Sequence, residues 1–220
     1  MQDWYRVFLS LLELREIQYT ILMIQILGKR EKNLMKKHDR LKDIVFLAML
    51  SALAFVSAAI IKFPLIPSAP FLEFDIKDSI IAIGGLLYGP VSALGVSVLA
   101  ALLQFLMTSQ SGIIGFFMNL LSTASFVCTA SAVYRFRQDR KGLVLGVVSG
   151  ALVMSAVMVL WNYIVTPLFM GIPREAIKPM LFTVFLPFNL LKGGINAVII
   201  LLYYRPLMSA LSDFIGDNSQ

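Results

Sequence analysis

A single positive charge constrains this chain more than any other feature. From Phe182 to Tyr204 every residue is uncharged except Lys192. A charge at the centre of a membrane-length helix costs roughly 2.5–3.5 kcal/mol on insertion scales, so it calls for a partner or a task. Asn189 lies three positions earlier, which puts both side chains on one helix face, about 60° apart. Asn196, one turn further on, extends the polar stripe. Pro187 weakens the backbone ladder just before it, and Gly193-Gly194 let another helix or a ligand come close. The pattern describes the wall of a polar pocket inside a membrane protein.

The composition supports a bilayer as solvent. Of 220 residues 58% are hydrophobic and 15% charged, against about 25% charged in soluble domains. The charges are also segregated: none falls between Asp78 and Arg135, none from Gly142 through Pro173, and only Lys192 from Pro179 through Tyr204. Runs of that length are candidate membrane spans. The formal net charge of +6 does not point to nucleic acid, because the basic residues lie in short segments between the apolar runs. Cys128 is the only cysteine, which leaves no internal disulfide and no cysteine metal cluster.

The expected fold is an all-α integral membrane protein with six transmembrane helices in a domain over 35–211. The spans are predicted at 44–61, 76–88, 91–107, 113–134, 143–165 and from about 180 to 204, the second being the shortest. Gly89-Pro90 makes one turn, 108–112 another, and 166–179 a polar hairpin with Pro167, Pro173 and Pro179. Lys36, Lys37, Arg40, Lys42, Arg135, Arg137, Arg140, Lys141 and Arg205 fall on one side, against Lys62, Lys77, Arg174 and Lys178 on the other. This imbalance places both termini in the cytoplasm. Residues 1–34 read either as an amphipathic surface helix or as an upstream extension before a start at Met35, and 212–220 as a cytoplasmic tail.

Between the first two spans, 62–77 is held extended by Pro64, Pro67 and Pro70. It is nonetheless apolar, with Phe63, Leu65, Ile66, Phe71, Leu72 and Phe74, so it is expected to fold back over the bundle as a cover. Glu73, Asp75 and Asp78 follow, where a helix start favours negative charge. By this topology the connector, Asn162 near the end of the fifth span and Asn189 converge on the outer side.

Asn162, Asn189 and Lys192 supply directional donors and acceptors in an apolar setting, which suits a flat heterocycle with alternating C=O and N–H groups. Trp161, Tyr163, Phe188, Phe71 and Phe74 offer aromatic surface for its ring. For Asn119 and Asn196 the lesser alternative is a purely structural bond between helices. No carboxylate lies in the interior of a predicted helix, Asp78 falling at the start of the second span, so Lys192 has no evident counter-ion and no intramembrane proton relay is in view. The chain has no G-x-x-x-x-G-K-[ST] phosphate loop, no G-x-S-x-G elbow and a single histidine, His38. A binding protein whose energy comes from elsewhere is the expectation, ahead of a membrane enzyme or a structural membrane protein. Small residues recur on the first span, Ala48 with Ala52 and Ala54 with Ala58, permitting close helix approach inside the fold or to a partner.

The stretch 63–72 (Phe-Pro-Leu-Ile-Pro-Ser-Ala-Pro-Phe-Leu) with Asp75, Gly89-Pro90, Asn162, and 187–193 (Pro-Phe-Asn-Leu-Leu-Lys-Gly) resemble the S components of energy-coupling factor (ECF) vitamin transporters. The likeness is greatest to the riboflavin-specific branch and covers roughly 35–211. It implies that Asn162, Asn189 and Lys192 hydrogen-bond the flavin, with Leu72 and its neighbours lining and covering the site. An S component for another vitamin is the nearest alternative. The resemblance also implies a multi-pass protein of the bacterial cell membrane that needs no cofactor, riboflavin being transported substrate. It would dock onto two ABC-type ATPases and a transmembrane scaffold, tilt in the bilayer and release its cargo on ATP hydrolysis. The alanine faces resemble the docking helix of such proteins.

Overall fold

A computed structural model describes residues 40–67, 69, 72–108 and 112–216, without the side chains of 205, 207, 208 and 210–216. Residues 1–34, the basic residues Lys36 and Lys37, and Phe71 lie outside the described residues. Helix α1 (Arg40–Ile60) leads into the proline-rich connector. Then come α2 (Lys77–Tyr88), α3 (Pro90–Thr108), α4 (Gly112–Phe136), α5 (Arg140–Met170), α6 (Arg174–Met180) and α7 (Leu186–Gly216). From Leu47 onward the chain forms one unit; 1–46 form another, of which only the opening turns of α1 are described.

Among the described residues, five stretches are long and apolar enough to cross a membrane: Arg40–Ile60, Pro90–Met107, Gly112–Phe136, Arg140–Met170 and Arg174–Tyr204. The predicted second span is different. Helix α2 has 12 residues, a rise of roughly 18 Å against about 30 Å of hydrocarbon. It is an interior helix packed on α3, α4 and α7. Lys77, Asp78, Ser79, Ile81, Ala82, Gly84 and Gly85 are all buried in it. Around it, Leu53, Val91, Leu152, Leu160 and Leu202 are exposed, as a lipid-facing surface requires.

Among the described residues, strands form only in the connector. Phe63–Pro64 (β1) pairs antiparallel with Glu73–Phe74 (β2), Phe63 opposite Phe74 and Pro64 opposite Glu73. The loop between them does fold back. Ala69 and Leu72 are buried against Ile177, Leu181, Phe185 and Phe188, with Leu65 and Ile66 packed alongside. An apolar loop thus finds an apolar bed on α6 and the start of α7.

The expected polar hairpin at 166–179 is mostly helical. Helix α5 continues through Pro167 to Met170 and stops at Gly171, whose left-handed backbone (φ 65°) suits glycine. Its other end is capped by Asp139, which accepts from the Gly142 N–H at 2.6 Å. That bond, and then Arg137, hold the Asp139 carboxyl below its ordinary range. Between α6 and α7 the helix widens to a π turn over Leu181–Phe185, the Leu186 N–H bonding back to the Leu181 carbonyl. Pro187, with no N–H to give to the ladder, follows at once.

Close helix approach depends on glycine. A Cβ at Gly146 or Gly150 on α5 would lie 2.6 Å from the carbonyl oxygen of Ala130 or Phe126 on α4. At Gly193 on α7 it would lie 2.7 Å from the Ala151 Cβ on α5. Gly150→Val should therefore lower stability in detergent by about 1–3 kcal/mol through overpacking, seen as a fall in melting temperature; an unchanged temperature would mean that α4 and α5 can part without loss.

Candidate binding site

The buried end of the site is an ionic cluster. The Lys192 ammonium on α7 lies 3.4 Å from Asp75 Oδ2 and 3.6 Å from Asp78 Oδ2. Lys77 Nζ donates to the same Asp75 oxygen at 2.6 Å, and Thr123 Oγ1 on α4 donates to Asp78 Oδ1 at 2.7 Å. All four charged side chains are buried, and their charges balance. Two carboxyl oxygens, Asp75 Oδ1 and Asp78 Oδ2, have no hydrogen bond, although the second lies in the Lys192 ion pair. Burial by itself raises the Asp75 carboxyl, in the connector outside the spanning helices, but Lys192 and then Lys77 outweigh it and hold it at about 2.

This corrects the expectation that Lys192 lacks a counter-ion. Asp75 and Asp78 read in the sequence as residues flanking a helix start at the membrane surface. Because α2 is short and interior, its first turn lies beside the middle of α7 instead. Asn196 secures that register, accepting from the Ser79 N–H at 3.1 Å while donating to the Lys192 carbonyl. Asn196 is fully buried, so its role is to tie α2 to α7.

Above the cluster opens a cavity of about 410 Å³, within the roughly 300–1,000 Å³ of small-molecule sites. Lys192, Asn189 and Phe188 line it from α7, Asn162 and Met158 from α5, and Leu72, Glu73 and Asp75 from the connector. The three predicted polar residues therefore meet on one cavity. Asn162 is set by bonds in its own helix: Nδ2 donates to the Met158 carbonyl at 2.7 Å, and Oδ1 accepts from Thr166 at 2.8 Å. Asn189 Nδ2 donates to the Phe185 carbonyl, the last residue of the π turn, at 2.8 Å. Its Oδ1 has no bond among the described residues, so it can accept from a ligand.

Other expected residues stand elsewhere. Phe74 is buried with its ring 5.3 Å from that of Phe63, and it does not line the cavity. Trp161 is half-buried and also off the cavity wall. Of the alanines, Ala54 and Ala58 are fully buried and serve internal packing, whereas Ala48 and Ala52 are exposed beside Met49 and Leu53. The α3–α4 part of the lining was not foreseen. Gln104 and Phe105 of α3, with Phe116 and Asn119 of α4, complete the cavity. Its sequence signal is an uncharged amide inside each of two apolar runs. No group of three or more His, Cys, Asp or Glu able to hold a metal occurs among the described residues.

The ionic cluster makes its own prediction. Asp78→Asn leaves an excess buried cation and should cost about 3 kcal/mol or more of stability, read as a lower melting temperature. Asp78→Asn with Lys192→Met restores charge balance, so the double variant should melt above either single one. Additive losses would show that these charges do not act as a unit.

Comparison with known proteins agrees with this architecture. Residues 42–204 fit the family described as "ECF transporter, substrate-specific component". The riboflavin transporter RibU of Staphylococcus aureus is 33% identical over 190 residues, covering 84% of this chain and 97% of that protein. RibU of Streptococcus thermophilus is 34% identical over 179 residues, covering 77% and 84%. The riboflavin transporter FmnP of Bacillus subtilis is 26% identical over 177 residues, covering 76% and 93%. A solved structure described as "Structure and mechanism of the S component of a bacterial ECF transporter" superposes with a TM-score of 0.70 at 32% identity. That match covers 78% of this chain and 98% of the other. The chain thus belongs to the substrate-specific components of ECF transporters, a family of multi-pass bacterial membrane proteins and not of enzymes.

Proposed function

We propose that this chain captures riboflavin for an ECF transporter. The carrying observation is that Asn162, Asn189 and Lys192 meet on one cavity in a chain 33–34% identical to proteins named riboflavin transporters. An ammonium has three N–H donors. Lys192 can keep Asp75 and Asp78 and direct the third at a ring carbonyl. Asn189 Oδ1 then accepts from the neighbouring ring N–H, while Asn162, fixed by Met158 and Thr166, has a second amide N–H to give. Phe188 and Leu72 supply apolar cover for the ring. Rigid polar groups of this kind select a planar heterocycle, because their orientation is set before it arrives.

The membrane topology follows from the charge pattern. Both termini lie in the cytoplasm, with Arg135, Arg137, Arg140 and Lys141 on the same side. The connector and the α5–α6 turn then face outward, which makes this a site for capture from outside. Here α2 counts as the sixth helix, although it does not reach across by itself. With no phosphate loop in the chain, ATP hydrolysis belongs to partners: two ABC-type ATPases and a transmembrane scaffold. The exposed Ala48–Ala52 face of α1 is the docking surface for that module.

The test is direct binding. Protein purified in detergent should carry a flavin absorbance band or quench riboflavin fluorescence with one-to-one stoichiometry. Lys192→Ala and Asn189→Ala should each weaken binding about tenfold or more, the scale of a lost hydrogen bond involving a charged or buried group. Normal affinity in both variants would remove this pocket from the account, and tight binding of another vitamin in place of riboflavin would reassign the substrate.

A further inference from the structure

Asn119 has no part in that recognition, yet it lines the same cavity from α4. It sits on α4 and donates through Nδ2 to Gln104 Oε1 on α3. Among the described residues that is its only bond, so its Oδ1 and second amide N–H are unspent. The Oδ1, which has no partner, is not among the buried unpartnered atoms, so it is accessible. Its setting also differs from the α5–α7 wall. Asn162, Asn189 and Lys192 are 3%, 3% and 6% exposed, whereas Asn119 and Gln104 are only half-buried.

Resting on the riboflavin reading, we infer that Asn119, positioned by Gln104, binds the polyhydroxyl side chain of the ligand and selects for ligands that carry one. The two walls suit different chemistry. Fixed, dry donors and acceptors match the fixed C=O and N–H edge of a ring. A half-exposed amide that both donates and accepts matches vicinal hydroxyls, each of which does the same, and which keep some water in the complex. Phe105 and Phe116, with ring centroids 5.6 Å apart, flank the amide pair. They give the methylene edge of such a chain an apolar surface.

The experiment compares riboflavin with lumiflavin, which has the same ring system but a methyl group in place of the ribityl chain. Affinities are measured by fluorescence quenching on the full chain in detergent. Wild type should bind riboflavin at least tenfold more tightly than lumiflavin. Asn119→Ala should lower riboflavin affinity about tenfold, the scale of one or two hydrogen bonds, and leave lumiflavin affinity unchanged. Lys192→Ala should weaken both flavins alike. Equal binding of the two flavins by wild type overturns the inference whether or not the variant folds. A loss in Asn119→Ala that is the same for both flavins overturns it too, by making Asn119 a purely structural tie between α3 and α4. If wild type binds lumiflavin and riboflavin not at all, the functional proposal fails as well, and that result is distinct from either of the others.

Discussion

Deep in an apolar bundle, the ammonium of Lys192 is held 3.4 Å from Asp75 and 3.6 Å from Asp78. Much of the architecture can be understood as what it takes to bring those carboxylates there. The connector has to turn inward, so Leu65, Ile66, Ala69 and Leu72 settle on α6 and the start of α7. Helix α2 has to begin at depth, so it is short. Lys77 has to accompany Asp75, because one cation against two buried carboxylates would leave a charge unpaired. The Asn196–Ser79 bonds then fix α2 against α7 at the register where the charges meet.

A charge balanced in this way is also available for recognition. The carboxylates make Lys192 affordable without using all its donors, and its place on the cavity wall leaves one side open. The π turn acts on the same helix. It precedes Pro187 and ends at Phe185, whose carbonyl orients the Asn189 amide. Leu181 and Phe185 of the turn are buried, while Phe182 and Thr183 are exposed. On α5, Asn162 is oriented by its own turn of helix. Two helices and a folded-back loop thus present polar groups whose directions are set without ligand.

These features were unequally legible in the sequence. A lone lysine and an asparagine one turn away stand out in an apolar run, and helical periodicity places them on one face, so Asn189 and Lys192 were readable from spacing. An apolar, proline-bearing loop has nowhere stable to go but onto the bundle, so the cover was readable too. The counter-ions were not, because Asp75 and Asp78 adjoin a helix start, and charge patterning cannot tell a start at the surface from one at depth. The 12-residue length of α2 was the available clue. Phe74 and Trp161 show the limit of proximity in sequence: each neighbours a site residue, and alternation along a strand or rotation about a helix turns it away. The alanines divided for the same reason, Ala48 with Ala52 outward and Ala54 with Ala58 inward. The α3–α4 wall was hidden because nothing local marks which face of an apolar helix meets a cavity.

The central claim is that a buried, charge-balanced lysine and two asparagines form the recognition surface for a planar ring. An experimental structure of the protein with riboflavin bound tests it most directly. The account predicts the isoalloxazine ring in this cavity, with Lys192 Nζ and the Asn189 amide at roughly 2.7–3.2 Å from its carbonyl and N–H groups. A flavin bound elsewhere, with Lys192 still paired only to Asp75 and Asp78, would contradict it.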